Sequence, residues 1–388
     1  MKKSIIALLA VVGIFALSSN SHAVPAFARA NGMECSTCHF QQFPLLNAFG
    51  RDFKANGYTM AKKEELVEGD KLSIPHDLGA SLVTKIRYQQ TNGSDDTEAT
   101  NHGEFQFPDE AALLLGGRVA ENIGFLLEAQ LADDTAPAFA SFKMPFVYDV
   151  AGAKVSVVPF TTDLGASYGF ELLNTGAVRN VRVTEHRKDV SAQQYLGTDG
   201  DATGIAFVGY NETGYVNYSL WKPVHGSSSA SFLSYLRVVA TPQVAGWDVG
   251  VGAQIWSGTS TDVTTTPNTK EKSDAWAIDA QAQGMLANMP LGVYFTYGSV
   301  GKNSTQEKAD STATVITAEL GVLPSTQVSA ALRSADAAGK DDNAIALGAK
   351  YLLRQNVQLS LNHSIYTDDA DGANNGNQLT TLMLFAAF

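Results

Sequence analysis

The chain has 388 residues, 45% of them hydrophobic but only 17% charged, with a formal net charge of −12. The acidic balance argues against a nucleic-acid partner, and so small a charged fraction is unusual for a soluble protein of this length. The apolar content would serve either a large conventional core or a large barrel without one.

Residues 1–23 read as a secretory signal peptide. Lys2 and Lys3 supply the basic start, Ile5 to Leu17 the short apolar stretch, and Ser21-His22-Ala23 the small residues before a cut. Val24 would then begin the mature chain, and losing two lysines takes the charge from −12 to −14. The apolar stretch is too short to span a bilayer comfortably. No later run is long enough for a membrane helix, so any insertion must use strands.

Both cysteines of the chain lie in Cys35-Ser36-Thr37-Cys38-His39, the attachment pattern of c-type haem. Two thiols three positions apart on a helical turn can each add to a haem vinyl group, and the adjoining imidazole then reaches the iron. A disulfide or a thioredoxin-like pair leaves His39 unexplained, and a zinc site lacks two ligands. One covalently attached haem c is therefore expected on Cys35 and Cys38, with His39 as metal ligand. For the distal face, Met60 lies far enough downstream to fold back. His76 and Met33 are alternatives, although Met33 stands only two residues before Cys35, and a five-coordinate iron is also open.

Residues 24–77 form the expected cytochrome segment, too small to be stable without a staple or a partner. Phe40, Phe43, Leu45, Leu46, Phe49 and Phe53 are available to pack on the porphyrin, and a short helix is expected to end near Gly57. Arg51 and Lys54 suit haem propionates, or equally solvent and carboxylates of a surrounding wall.

From Leu78 the sequence shows repeated segments of about ten residues with period-two alternation, the pattern of a transmembrane barrel. In Val357 to Tyr366 one face carries Val357, Leu359, Leu361 and Ile365, and the other Gln358, Ser360, Asn362 and Ser364. In Leu78 to Gln90, Leu78, Ala80, Leu82, Ile86 and Tyr88 alternate with Ser81, Lys85, Arg87 and Gln89. Sixteen strands are predicted, near 78–90, 105–119, 122–133, 138–148, 153–160, 202–211, 214–222, 231–241, 245–257, 274–284, 291–299, 313–322, 326–335, 343–353, 356–366 and 378–388. Short and long connectors alternate, which puts short turns on the periplasmic side and loops outside. Phe388 ends an alternating strand, like the signal read by outer-membrane assembly machinery. Tyr215, Trp221, Trp247, Trp256 and Tyr294 are expected in an aromatic girdle. The acidic loop residues Asp95, Asp96, Glu98 and Glu104, and Asp368, Asp369 and Asp371 before Gly372, are solvated or weakly capture divalent cations. The long 161–201 connector, with Phe170 to Leu173 and the basic group Arg179, Arg182, His186, Arg187 and Lys188, either folds inward or forms a docking surface.

Pro25-Ala26-Phe27-Ala28-Arg29, Gly32-Met33, the Cys35–His39 motif, Phe43-Pro44-x-Leu46 and Phe49-Gly50-Arg51-x-Phe53-Lys54-x-x-Gly57-Tyr58-Thr59 closely resemble the fused cytochrome–porin family, monohaem outer-membrane cytochromes associated with iron(II) oxidation. The resemblance is close over residues 25–59 and elsewhere extends only to a barrel of the right size. It implies a haem plug inside the barrel, oxidation of Fe(II) or another extracellular donor, and transfer to a periplasmic cytochrome or similar carrier. The expected architecture is all-β: a 16-stranded antiparallel transmembrane β-barrel over 78–388 in outer-membrane lipid, with a small helical N-terminal c-type cytochrome segment plugging its lumen. A porin with a regulatory haem segment and an exporter of electrons to extracellular acceptors are the competing functions. A haem peroxidase would need a distal catalytic residue that the sequence does not identify.

Overall fold

The computed structural model describes residues 25–41, 43–60, 64–95, 98–132, 139–162, 168–176, 183, 191–198, 200–223, 231–262, 266–301, 310–337, 339–368 and 376–388. The expected leader, the basic group Arg179, Arg182, His186, Arg187 and Lys188, and the acidic positions Asp96, Asp369 and Asp371 lie outside the described residues.

Three short helices open the chain: α1 (Pro25–Asn31), α2 (Cys35–Cys38) and α3 (Ala48–Ala55). A separate two-stranded hairpin follows, β1 (Leu66–Gly69) with β2 (Leu72–Pro75). The barrel then runs β3 (Ala80–Thr91), β4 (Glu104–Ala120), β5 (Ile123–Gln130), β6 (Ser141–Lys143), β7 (Phe146–Val150), β8 (Ala153–Thr162), β9 (Ala202–Asn211), β10 (Gly214–Pro223), β11 (Leu233–Ala240), β12 (Gln243–Val244), β13 (Trp247–Asp262), β14 (Thr269–Leu286), β15 (Met289–Val300), β16 (Ser311–Leu323), β17 (Thr326–Ala337), β18 (Asp341–Arg354), β19 (Val357–Tyr366) and β20 (Gln378–Ala387). Between β8 and β9 lies a fourth short helix, α4 (Ala192–Leu196).

Among the described residues eighteen strand segments close into one antiparallel barrel. Two pairs are single strands broken once, which leaves the sixteen passes expected from the sequence. β6 and β7 both pair with β8 and are separated at Pro145, while β11 and β12 both pair with β13 and are separated at Pro242. Proline has no N–H to give the ladder, so each strand interrupts there. Closure is made by β20 on β3, with Leu384 opposite Ile86. Phe388 and Leu82 exchange backbone hydrogen bonds at its end.

The side-chain pattern is inverted relative to a water-soluble protein. Asn362 in β19 is 0% exposed while its neighbour Leu361 is 50% exposed. Ser81, Lys85, Arg87 and Gln89 are buried on the inner face of β3. Apolar residues such as Ile205, Phe207, Val238, Ile255, Ile278, Leu347 and Leu382 cover the outside. A polar interior within an apolar outer band is the surface a bilayer requires of a transmembrane barrel of the outer-membrane type. Several turns at the short-connector end are two-residue hairpins with both central residues at positive φ: Ala151-Gly152, Ala245-Gly246 and Ala287-Asn288.

Two features depart from the sequence reading. β13 and β14 pair out to Asp262 and Thr269, well into the expected 258–273 loop. There the apolar alternation has ended above the lipid band, but the backbone ladder continues. The expected girdle also fails at four of its five positions. Tyr215, Trp221, Trp256 and Tyr294 are buried, because each falls on the inward parity of its strand. Of the five, only Trp247 is partly exposed.

The connector between β8 and β9 folds into the lumen over residues 168–176 and 191–198. Tyr168, Phe170, Leu172, Leu173 and Thr175 are buried. Asn217 Nδ2 donates to the carbonyls of Tyr168 and Phe170, and Thr296 Oγ1 to that of Thr175. At its centre Arg237, 0% exposed, pairs with Asp279 at 2.7 Å and with Glu171 at 2.5 Å. α4 carries a capping box from Ser191 and Gln194, and the Tyr195 hydroxyl of α4 donates to Asp342 in β18.

Candidate cofactor site inside the barrel

The N-terminal helices are fixed by the barrel wall around most of its circumference. On one side Ala26 N donates to Ser81 Oγ at 2.9 Å, and Arg29 donates to the Ala80 carbonyl. Gly116 of β4 leaves room for the Phe27 ring, since a Cβ there would stand 2.8 Å from Phe27 Cζ. On another side Gln41 Nε2 donates to the Pro290 and Glu319 carbonyls. Arg51 pairs with Asp248 and lies 3.4 Å from Gln283 Oε1. Gly124 of β5 has no room for a side chain, because a Cβ would meet the Gly57 carbonyl oxygen at 1.7 Å.

Within this frame α2 presents the Cys-x-x-Cys-His turn. Cys35 N donates to Gln355 Oε1 at 3.0 Å, in the turn joining β18 to β19. Asn47 holds the turn from the other side. Its Nδ2 donates to the Ser36 and Thr37 carbonyls, while its Oδ1 accepts from Gly50 N at 2.9 Å and so caps α3. α3 crosses α2 in direct contact: a Cβ on Gly50 would lie 2.0 Å from the Cys38 carbonyl oxygen.

His39 is set by its backbone neighbours. Its N–H donates to the Cys35 carbonyl at 2.9 Å. Its Nδ1 lies 3.2 Å from the Leu45 carbonyl. A carbonyl can only accept, so Nδ1 carries the proton and the Nε2 lone pair is left for another partner. Burial pushes the imidazole pKa down to about 4, against weaker backbone hydrogen bonds that raise it. The ring is therefore neutral near pH 7, the state in which imidazole ligates metal. Burial likewise raises the Cys38 thiol. Phe43 meets His39 edge-on at 5.3 Å and stacks on Phe385 of β20 at 5.2 Å.

These groups face one cavity of about 250 Å³, part of it open to solvent. Cys35, Cys38, His39, Met33, Phe43, Leu46, Phe53, Lys54 and Tyr58 line it, with Leu114, Leu126, Glu128 and Lys143 from the wall. Cys35, Cys38 and His39 thus come together on it. Met60 and His76 are not among the lining residues, whereas Met33 is. Arg51 turns to the wall and Lys54 to the cavity, where its Nζ also donates to the Glu171 carbonyl at 2.5 Å. Among the described residues no three His, Cys, Asp or Glu side chains converge to hold a bare metal ion.

The sequence reading assigns no site role to Asn47, Gln355 or Asn174. Asn47 was findable as an N-cap three residues before Gly50. Gln355 is 320 positions from Cys35 and leaves no local signal. Asn174 exchanges two hydrogen bonds with the Leu46 backbone, at 3.0 and 2.9 Å, and so braces the inward connector against the site.

No protein-family model and no curated protein sequence matches the chain. Among solved structures it is similar to a loop L8 deletion mutant of OmpT, an outer membrane protein of Vibrio cholerae, with TM-score 0.54 and 12% identity over 80% of this chain and 99% of that one. In-vitro folded OmpT of the same organism in its trimer form gives TM-score 0.50 at 11% identity, covering 80% and 99%. The likeness is one of fold, a closed barrel of the outer-membrane type.

Proposed function

We propose that the protein is an outer-membrane electron conduit, with one c-type haem held in the lumen by Cys35, Cys38 and His39. It takes electrons from extracellular Fe(II) and passes them to a periplasmic cytochrome or similar carrier. The observation that carries this reading is the cavity inside the closed barrel that Cys35, Cys38 and His39 face together. The donor set fits the group: two thiols one helical turn apart, an imidazole whose Nε2 is free of the Leu45 hydrogen bond, and an aromatic and aliphatic lining. When bound, haem supplies a reversible one-electron change at iron.

The chain's own residues do the rest. Leu45 fixes the His39 tautomer and ring direction through its carbonyl. Phe43 and Phe53 keep water from that side of the cavity. Lys54 places a cation at the cavity edge, where it would balance a propionate. The small N-terminal helices, unable to bury enough surface alone, take their support from the barrel wall. Met33 is the thioether among the cavity-lining residues, and Met60 is not one of them.

Two measurements test the proposal. The purified protein should carry one covalent haem, seen as retained haem absorbance after denaturation. Anaerobic mixing of the oxidised protein with Fe(II) should reduce it. Covalent haem without reduction by Fe(II) would remove iron from the reading and leave another donor or the reverse direction. A porin is the second reading, favoured by the barrel itself. It requires solute conductance that is independent of haem.

A further inference from the structure

The cavity has two chemically different ends. At the first stand Cys35, Cys38 and His39. Glu34 belongs to that end, where it is exposed and accepts from Gln355 Nε2 at 3.3 Å. At the second stand two lysines from separate parts of the fold, Lys54 in the last turn of α3 and Lys143 at the end of β6. Both also border a small void beside the cavity, shared with Tyr58 and Pro145. Cys35, Cys38 and His39 do not border it. The two lysines meet at a break in the wall. Pro145 interrupts the strand just after Lys143, and the chain leaving α3 packs on that break, since a Cβ on Gly57 would stand 3.2 Å from Pro145 Cγ.

Like charges brought together beside apolar side chains repel more strongly than in water. One wall carboxylate, Glu128, lines the cavity with them. Across the β5–β6 ladder Glu128 faces Ser141 and Leu126 faces Lys143. Glu128 and Lys143 are therefore diagonal neighbours on the inward face, a spacing that long side chains can bridge. Gln130 steadies the carboxylate, its Nε2 donating to Glu128 Oε1 at 3.3 Å. An ammonium carries three donors, and one of those on Lys54 goes to the Glu171 carbonyl at 2.5 Å, a neutral acceptor. Two cations and one carboxylate leave this end of the lining net positive, and it suits a ligand that brings carboxylates of its own.

We propose that Lys54 and Lys143 hold the two carboxylates of a porphyrin, Lys54 from the helices and Lys143 from the barrel wall, with Glu128 orienting Lys143. The proposal rests on the haem reading given above and adds a second anchor for the cofactor. The carboxylates of haem lie on the ring edge opposite its vinyl groups. A haem joined at Cys35 and Cys38 therefore turns them toward the far end of the cavity, where the two lysines stand. Held in this way, the cofactor bridges the helical plug and the barrel. Its potential then answers to charges on the wall, because a nearby cation favours an added electron and a nearby carboxylate disfavours it.

The test uses full-length protein in detergent, with redox titration followed by haem absorbance. Lys143→Met should lower the reduction potential, Glu128→Gln should raise it, and Lys143→Arg should keep it near the wild-type value. Lys272→Met is the control, since that side chain is 53% exposed on β14, and its potential should not move. A separate arm needs neither iron nor covalent attachment. Full-length Cys35→Ala/Cys38→Ala protein should bind protoporphyrin IX at least about tenfold more tightly than the dimethyl ester of the same ring, read by porphyrin fluorescence, because each charge-assisted hydrogen bond contributes about 1.5–3 kcal/mol. Adding Lys54→Met and Lys143→Met should erase that preference. Equal binding of acid and ester, or a preference that survives loss of both lysines, would overturn the clamp. So would a potential that does not move in Lys143→Met. Absence of haem from the wild type would fail the cofactor reading alone, and the porphyrin arm would still decide this one.

Discussion

Gly50 shows how a single position ties the motif to its support. The Cys-x-x-Cys-His turn was legible at once, because its chemistry is local and its spacing specific. What holds the turn was not. A Cβ on Gly50 would lie 2.0 Å from the Cys38 carbonyl oxygen, and that atom is backbone and cannot swing away. Gly50→Ala must therefore push α3 off the turn, at a cost of about 1–3 kcal/mol for overpacking. The expected outcome is a lower haem-to-protein ratio in purified barrel, with the barrel still assembled. Gly200→Ala is the control, since nothing lies within 4 Å of its added Cβ. Equal haem content in the two variants would refute the close-contact account.

At the scale of elements, parity carried most of the information. The sixteen passes were readable because lipid and lumen select opposite residue types on alternate positions. Parity applied to Tyr215, Trp221, Trp256 and Tyr294 would also have placed them inside. Proximity to strand ends misled there. The fate of the connector after β8 was not legible, because its anchors sit on other strands: Asn217, Arg237, Asp279 and Thr296. Arg237 is the strongest of them, facing Glu171 and Asp279 with all three side chains buried. Removing one partner leaves uncompensated charge, so Arg237→Leu should cost about 3–5 kcal/mol. It should lower the temperature at which the barrel unfolds on detergent gels. Adding Glu171→Gln and Asp279→Asn should restore much of the loss. If Arg237→Leu alone unfolds at the wild-type temperature, this ion group does not anchor the connector.

For the whole molecule, the decisive question is whether the barrel conducts solutes. Sixteen strands ordinarily leave an aqueous channel, whose inward polar side chains would be wet. Here such side chains are covered: Arg237, Asn217, Asn362 and Thr381 are all 0% exposed. Two bodies account for much of that cover. The N-terminal helices reach the wall at Ser81, Asp248, Pro290 and Gln355, and the inward connector meets them at the Asn174–Leu46 pair. Single molecules in planar bilayers should therefore pass far less current than an open barrel of the same strand number. Asn174→Ala combined with Gln355→Ala removes four of the hydrogen bonds that fix the N-terminal segment, each contributing about 0.5–1.5 kcal/mol. That variant should show brief openings of much larger current, as the helices lift from the wall while the strands stay closed. A steady, large conductance in the unmodified protein would mean that water fills the lumen, and the porin reading would then take precedence over an electron conduit.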